Sequence, residues 1–208
     1  GCNNLESIHD QNHLTIVGNM LKNDVFVIAT GCSAQAMAKA GYMDPAKVDE
    51  FCGENLAAFI HKLEEANKDK LSAGLPPAFH MGSCVDNSRC HDFIRVMADT
   101  MGVDTPKIPF VATAPEAMSE KAISIGSGLV TNGIPTHVGT MPPVEGSPLV
   151  YDIVCRIDEE VYGGYLILET DPEKASEKLL AALEYRTWKL GVHKAVAERY
   201  ESALTKNY

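Results

Sequence analysis

The chain has 208 residues, which is enough to bury a sizeable core in one domain, or in one domain with a small appendage. Hydrophobic residues make up 45% and charged residues 22% of the sequence, as is ordinary for soluble globular proteins. The formal net charge of −10 argues against nucleic acids and anionic membrane surfaces as partners. No signal peptide is recognisable and no run of about 18 apolar residues occurs, so we expect no membrane insertion.

The first half of the sequence alternates between helical and strand patterns. Apolar residues at helical spacing predict helices over 13–22, 34–40, 45–66 and 87–101. Strands covered on both faces are predicted from the continuous apolar runs at 25–30 and 78–81. Asp44 and Pro45 supply an N-cap and a first helical position for the third helix, and Gly102 supplies a stop for the fourth.

The second half is interpreted in the same way. We expect strands over 108–112, 149–156 and 165–169. A helix is expected to begin at 113–116 and to stop at Gly126, and a closing helical region to run over about 172–206 with a bend near Gly191. Alternation at this spacing is typical of parallel βαβ units. The predicted fold class is α/β: a Rossmann-like doubly wound, mainly parallel sheet with helices on both faces, in a single domain over 1–208.

Three of the six cysteines each follow Gly or Gly-Ser at a predicted turn, and they are Cys2, Cys32 and Cys84. Ligands of open α/β sheets gather beyond the carboxyl ends of the strands, so the three thiols could converge on one point. Soft sulfur donors favour iron–sulfur clusters, zinc or nickel. From spacing alone, a metal site and three unconnected turn cysteines remain equal alternatives.

The other cysteines lie in apolar patterns. Cys52 and Cys90 share helical stripes with large hydrophobic residues, and Cys155 lies inside the predicted strand over 149–156. We interpret all of them as small buried hydrophobic residues rather than as disulfide partners. A reducing, cytoplasmic compartment is consistent with this pattern.

Three charged or titratable side chains are further candidates. Lys121 lies near the start of a predicted helix, with Ile125 four residues on and on the same face. It is either a solvated charge or a cation directed into the crevice, where it would stabilise an oxyanion. His80 and His137 lie in apolar, strand-like runs, where a buried histidine bonded to backbone is the favoured interpretation. The remaining histidines, His13 among them, are interpreted as surface or helix-face residues.

Several segments together resemble anaerobic nickel–iron–sulfur carbon monoxide dehydrogenase. They are 1–4 (GCNN), 30–36 (TGCSAQA), 80–89 (HMGSCVDNSR), 115–122 (PEAMSEKA) and 137–143 (HVGTMPP). The resemblance spans essentially the whole chain, in order, and identifies it as similar to the C-terminal Rossmann-like domain of the catalytic subunit. Because the chain also begins on Gly1 without an initiating Met, we interpret it as a piece of a longer protein.

The resemblance implies definite roles at the metal centre. Cys2 and Cys32 match thiolates that bind iron atoms of the active-site cluster, and Cys84 matches the thiolate that holds nickel. Further 4Fe-4S clusters belong to the parent enzyme and are not bound by this chain. The family's cluster also needs a His and two Cys that are supplied upstream of anything present here.

The resemblance also implies a substrate site. Lys121 matches a lysine that donates a hydrogen bond to an oxygen of nickel-bound CO₂, and Ile125 matches an apolar residue lining a small gas pocket. His80 and His137 lie in family motifs and would contact ligands rather than the metal itself. The implied reaction is CO + H₂O ⇌ CO₂ + 2H⁺ + 2e⁻, with a ferredoxin-like electron acceptor and a homodimeric parent enzyme.

Two alternatives remain beside this reading. One is a domain of a hybrid-cluster-type iron–sulfur reductase, against which the Lys121 segment and the 84–89 motif favour the dehydrogenase. The other is a metal-free folding or subunit-contact module. Since only part of the family's ligand set is present, we expect the isolated chain to fold as a domain but not to oxidise CO.

Overall fold

The computed structural model describes residues 11–187 of the chain. Within them, short parallel strands form two sheets, one with the order β1-β2 and one with the order β3-β4-β5. In chain order the strands are β1 (Val27–Ala29), β2 (Ala78–His80), β3 (Ala112–Ala114), β4 (Thr136–Val138) and β5 (Leu166–Leu168). Parallel strands flanked by helices confirm the predicted α/β, Rossmann-like fold class.

A helix follows each strand, and the helices that lie between two strands form the crossovers. In chain order they are α1 (Gln11–Lys22), α2 (Gly31–Lys39), α3 (Val48–Phe51), α4 (Glu54–Ala66), α5 (Ser88–Met101), α6 (Glu120–Thr131), α7 (Pro148–Asp152), α8 (Asp158–Tyr162) and α9 (Pro172–Thr187). Gly102 ends α5 in the left-handed conformation at φ 66°, as its position in the sequence predicts. The rest of the predicted closing helix, including Gly191, lies outside the described residues. Among helices α1 to α9, none is both long and apolar enough to cross a membrane.

The predicted helix over 45–66 is wrong in one respect, because it is broken between α3 and α4. Gly53 approaches Asp24 so closely that a Cβ at Gly53 would collide with the Asp24 carboxylate. That carboxylate accepts a hydrogen bond from the Leu56 amide at 2.9 Å and so caps α4 from outside the helix. The break is therefore set by a tertiary contact.

The bounds of β3 and of the helix after it also differ from the prediction. The strand lies at 112–114 instead of 108–112, and the following helix begins at Glu120 and continues to Thr131. Gly126 does not stop this helix. It is buried where α6 packs on the sheet, and a Cβ at Gly126 would lie 3.4 Å from the Thr136 side chain. The helix therefore continues through a glycine that packs on the sheet.

The strand predicted over 149–156 is wrong, since this segment is helical. Helix α7 leads through a π-helical turn at Ile153–Ile157 into α8, so Cys155 lies in that turn. Pro148 occupies the first position of α7, and Arg156 forms ion pairs with Asp152 at 2.6 Å and Glu160 at 2.7 Å. Pairs spaced four residues apart stabilise a helix and have no counterpart along a strand.

The core is divided between the two sheets. One cluster surrounds β1 and β2 and includes Leu21, Ile60 and Ala78, while two others pack on the β3-β4-β5 sheet. Helices α1 and α9 join the halves through a further cluster that includes Ile16 and Leu179. The two sheets are therefore held together by side-chain packing of helices rather than by a shared backbone ladder.

Candidate active site

Parallel pairing of β1 with β2 brings two cysteine turns to the same sheet edge. Ala29 lies opposite His80 at the carboxyl ends of these strands. The chain after β1 enters α2 directly, which places Cys32 in the first turn of that helix. The chain after β2 enters a 3₁₀ turn at Cys84–Asn87. Both cysteines thus lie at the edge where ligands of parallel sheets bind.

Gly31 provides the seat for the Cys84 thiol. Its amide donates a hydrogen bond to the Gly82 carbonyl at 3.0 Å, which ties the two turns together. Gly31 has a φ of 59°, and a Cβ at this position would overlap the Sγ of Cys84. Only glycine leaves room for the sulfur here.

The turn before Cys84 is fixed by Asp86. Its carboxylate accepts hydrogen bonds from the Ser83 amide at 2.7 Å and from the Ser83 hydroxyl at 2.9 Å. These bonds from Ser83 lower the pKa of Asp86, which stays ionised. The carboxylate occupies the space where a Cβ at Gly82 would lie, so Gly82 is needed for this close approach. The position of Cys84 is therefore specified by its neighbours on both sides.

Asn87 links the Cys84 turn to the end of β1. Its Nδ2 donates to the Cys84 carbonyl at 2.7 Å, and its Oδ1 accepts from the Thr30 hydroxyl at 3.0 Å. A carbonyl can only accept, so the amide orientation follows from its partners. Thr30 is buried and directly precedes Gly31. One side chain thus positions both cysteine turns.

A cavity of about 190 Å³ lies between the two sheets, lined by residues 25–30 near β1 and 109–115 near β3. Cys84 and Asn87 line it from the β2 side, and Lys121 and Ile125 line it from α6. Its wall is mostly apolar, with a few polar groups near the carboxyl edge. A space of this size suits a small molecule of a few atoms rather than a nucleotide or a drug-sized ligand.

Helix α6 carries Lys121 in its first turn and Ile125 one turn further on. Lys121 is exposed and also lines the cavity, so this residue lies at the mouth. Ile125 is half-buried and packs against the cluster that includes Ile94. The structure thus brings together Cys84, Lys121 and Ile125 from separate parts of the sequence.

Not every predicted metal ligand can be placed. Cys32 is half-buried at the start of α2, and the next residue, Ser33, lines the cavity. Cys2 lies outside the described residues. Within residues 11–187, no three His, Cys, Asp or Glu side chains are grouped closely enough to hold a metal ion. The donors that are described fit one side of a soft-metal site, because the two cysteine turns lie at one sheet edge and the missing side chain of Gly31 makes room for the Cys84 sulfur.

The model of one protein family matches most of the sequence. It describes the Prismane/CO dehydrogenase family and covers residues 1–173. The chain belongs to this family. Membership confirms the resemblance found in the sequence motifs.

Individual members of the Prismane/CO dehydrogenase family are highly similar. The chain is 60% identical over 208 residues, all of its length, to the beta subunit of carbon monoxide dehydrogenase/acetyl-CoA synthase from Moorella thermoacetica, and covers 31% of it. It is 49% identical over 192 residues, 92% of its length, to carbon monoxide dehydrogenase 2 from Carboxydothermus hydrogenoformans, and covers 30% of that protein. The chain therefore spans about a third of these relatives.

A solved structure shows the same fold. It is an acetyl-CoA synthase/carbon monoxide dehydrogenase with NiZn and NiNi Fe4S4 clusters in its alpha subunits. The TM-score is 0.88 at 61% identity, covering 97% of this chain and 30% of that one. The backbone arrangement described above is therefore similar to that of this structure.

His80 and His137, the two histidines in family motifs, differ in burial. His80 is exposed, and its Nδ1 accepts a hydrogen bond from the Gly82 amide at 2.9 Å. The expectation of a buried histidine is wrong for His80, because the strand ends at the open edge of the sheet. Its bond to Gly82 instead shapes the turn that leads to Cys84.

His137 is buried, and its interpretation as a histidine bonded to backbone is confirmed. Nε2 donates to the Glu169 carbonyl at 2.8 Å, and Nδ1 accepts from the Thr113 hydroxyl at 2.7 Å. Burial lowers the pKa of His137, which favours this neutral tautomer. The ring ties together β3, β4 and the end of β5, and it is not among the residues that line the cavity.

The cysteines interpreted as buried hydrophobic residues are only half-buried. Burial is the largest cause that raises the pKa of Cys52, Cys90 and Cys155, so each remains a neutral thiol near pH 7. Cys90 also lines the cavity, and its Sγ lies 3.8 Å from the Met81 sulfur. The helical stripe in the sequence indicated its apolar surroundings but not its place on the cavity wall.

His13 was missed by the sequence interpretation, which placed it on the surface or a helix face. It is fully buried, with Nδ1 2.9 Å from the Ser33 hydroxyl and Nε2 3.6 Å from the carboxylate of Glu116, which is also buried. The signal was present in the spacing, because His13 lies three and four residues before Ile16 and Val17, on the stripe that packs inward.

Proposed function

We propose that this chain is the part of a carbon monoxide dehydrogenase catalytic subunit that holds the nickel side of the active site. It would take part in the reaction CO + H₂O ⇌ CO₂ + 2H⁺ + 2e⁻. The observation that carries the proposal is the seating of the Cys84 thiol over Gly31, in a cavity that Lys121 and Ile125 also line. We also propose that residues 1–208 act as one domain of that subunit.

Cys84 is assigned to nickel, and Cys32 and Cys2 to iron atoms of the same nickel–iron–sulfur cluster. The two thiols at one sheet edge and the small cavity support the first two assignments. When bound, such a cluster supplies a soft metal centre that accepts the carbon of CO and two electrons. His80 supports Cys84 indirectly through its bond to Gly82. His137 has a structural role, because its hydrogen bonds join neighbouring strands.

Lys121 is proposed as the group that stabilises negative charge on substrate oxygen. Its position at the cavity mouth allows the ammonium to donate a hydrogen bond to an oxygen of CO₂ while its stem packs along the wall. Charge that develops on that oxygen is stabilised by a preorganised cation. Ile125, four residues further on, lines the apolar part of the cavity and limits the size of what can enter.

The partners follow from the family. We propose CO, CO₂ and water as reactants, further 4Fe-4S clusters elsewhere in the subunit as the electron path, and a ferredoxin-like protein as acceptor. We also propose that the parent enzyme is a cytoplasmic homodimer. These assignments rest on the high identity to carbon monoxide dehydrogenases.

The test is made in a full-length catalytic subunit that carries this segment. We expect Cys84→Ala to lose nickel and CO-dependent reduction of a viologen dye. Cys155→Ala is the matched control, because this half-buried thiol lies in the π-helical turn and does not line the cavity. Unchanged nickel content in Cys84→Ala would overturn the assignment.

Metal analysis after anaerobic reconstitution separates this function from its alternatives. Nickel together with iron supports a carbon monoxide dehydrogenase. Iron alone indicates a hybrid-cluster-type reductase, and neither metal indicates a folding or subunit-contact module. The isolated 208-residue chain is expected to be inactive, so CO-dependent dye reduction by that chain alone would contradict the proposed division of ligands.

A further inference from the structure

Three buried polar side chains from three segments meet at His13. Its Nδ1 lies 2.9 Å from the Ser33 hydroxyl, and its Nε2 lies 3.6 Å from a carboxylate oxygen of Glu116. The exposed fractions are 0% for His13, 1% for Glu116 and 6% for Ser33. His13 belongs to α1, Ser33 to α2, and Glu116 to the connection between β3 and α6.

The partners of His13 belong to opposite walls of the cavity. Ser33 directly follows Cys32 and lines the cavity from the half that carries the cysteine turns. Glu116 directly follows Pro115, which lines the cavity from the other half, and lies five residues before Lys121. His13 therefore stands between the cysteine-bearing wall and the lysine-bearing wall.

Apolar packing and polar contacts do different things at such a junction. The neighbours of His13 on α1, Ile16 and Val17, pack into the core and stabilise the fold without strict directionality. A buried hydrogen bond has a narrow range of lengths and angles, and a buried carboxylate is costly unless a partner is correctly placed. The hydrogen bond to Ser33 therefore fixes the Cys32 turn relative to α1, and the buried Glu116 carboxylate of the other wall lies 3.6 Å from the same ring.

We propose that His13 is a positioning residue that sets the relation between the Cys32 turn and the segment leading to Lys121. This inference rests on the proposed function, because it assigns a purpose to the spacing between a metal-binding turn and a charge-stabilising lysine. In enzymes, a displacement of about 1 Å between reacting groups can cost about 100-fold in rate.

The test uses two substitutions of His13 that each keep one contact. Asn places its amide where Nδ1 lies and can still bond Ser33, whereas Gln reaches toward the position of Nε2 and Glu116. Each is combined with Ser33→Ala in a full-length catalytic subunit that carries this segment. The measurements are kcat per bound nickel, KM for CO, and the electron paramagnetic resonance spectrum of the reduced protein.

We expect Ser33→Ala to lower kcat per nickel about fivefold in the parent and in His13→Asn, the factor that corresponds to one ordinary hydrogen bond. In His13→Gln it should have no further effect, since the bond is already lost. Ser72→Ala, an exposed serine in the loop after α4, is the matched control and should change nothing. An equal effect of Ser33→Ala in all three backgrounds would overturn the proposal.

A second measurement does not depend on the His13 variants folding. Ser33→Ala and Glu116→Gln are made singly and together. If His13 couples their segments, the combined effect on kcat and on the resonance spectrum departs from the product of the single effects. Multiplicative effects and an unchanged spectrum would refute the coupling. A parent protein without nickel or CO oxidation would instead refute the proposed function, so the two failures are distinguishable.

Discussion

Asn87 holds the Cys84 carbonyl at 2.7 Å from its amide nitrogen and the Thr30 hydroxyl at 3.0 Å from its amide oxygen. Because Thr30 precedes Gly31 and Cys32, this one side chain fixes the register between the two cysteine turns. The contact is made by an amide that both donates and accepts. Few other side chains can replace it.

Asn87→Ala is expected to lower the free energy of unfolding of the chain by about 1–3 kcal/mol, because it removes both bonds from a half-buried turn. Asn87→Asp should also destabilise the turn, since a carboxylate cannot donate to the Cys84 carbonyl. Urea unfolding measures the stability, and nickel content in the full-length subunit measures the effect on the site. Thr30→Ser keeps the hydroxyl and should retain both, so a large loss there would contradict this account.

Gly31→Ala is expected to destabilise the chain and to expel the Cys84 thiol from its seat. The new Cβ would overlap Cys84 Sγ, and the φ of 59° is unfavourable for alanine. Gly128→Ala is the matched control, because Gly128 lies inside α6 with open space around it and should gain about 0.5–1 kcal/mol in helix stability. In thermal unfolding, Gly31→Ala should lower the melting temperature and Gly128→Ala should raise it. A higher melting temperature in both variants would show that an alanine at Gly31 is not strained.

Lys121→Ala is expected to lower kcat for CO oxidation by about 100-fold or more in the full-length subunit, the range seen when a preorganised charge-stabilising group is removed. Nickel content should stay unchanged, because Lys121 is not assigned to the metal. Lys62→Ala, an exposed lysine on α4, serves as the control. Loss of nickel in Lys121→Ala, or full activity, would contradict the assigned role.

His137 makes the stability of the chain depend on pH. Burial lowers its pKa in the folded state, so below an unfolded pKa of about 6.5 the unfolded chain binds a proton that the folded chain does not. This contribution to stability is present above that value and is lost as the pH falls toward the lower folded pKa. Unfolding free energies measured between pH 7 and pH 5 should decline, and His137→Gln should flatten the decline.

His61 has the opposite sign and provides an internal comparison. Asp49 and Glu64, which contact its ring at 2.9 Å and 3.2 Å, raise the pKa of His61 in the folded state. Its stabilising contribution is therefore complete below the unfolded pKa and is lost as the pH rises through the folded one. In the same pH series, His61→Ala should reduce stability at acidic pH and leave it unchanged at alkaline pH. A uniform loss across the range would refute this assignment.

The fold was predictable wherever local signals agree with tertiary structure. The apolar runs at 25–30 and 78–81 contain β1 and β2, and a glycine before each thiol indicated a tight turn at each strand end. Since parallel strands place their carboxyl ends together, the pattern alone predicted that the Cys32 and Cys84 turns could lie at one edge, with unconnected turn cysteines as an equal alternative. The approach of Lys121 to the same cavity was inferred from family resemblance, because spacing along one helix says nothing about its neighbours.

The errors have two physical causes: contacts distant in sequence override local preference, and a short apolar run resembles a strand even where the charge spacing favours a helix. Gly126 alone predicts a helix stop, yet α6 packs on the sheet at this residue and continues to Thr131. The apolar run from Leu149 to Ile153 looked like a strand, yet Arg156 and its ion pairs accompany a helix. The spacing of His13 to Ile16 and Val17 indicates burial, but no local pattern identifies a partner as distant in sequence as Glu116.

The separation between the two sheets has a consequence for how the cavity could be modified. Strands β1 and β3 do not hydrogen-bond to each other, although residues near both line the cavity. In a continuous sheet with the order 2-1-3-4-5, this would be the point where the chain reverses direction across the sheet. Here the cavity lies between β1 and β3, and no backbone hydrogen bonds join these two strands. Side chains of α1, α6 and α9 line this space together with residues near β1 and β3, so a substitution on one of these helices can alter the volume open to a small molecule while every strand pairing stays intact.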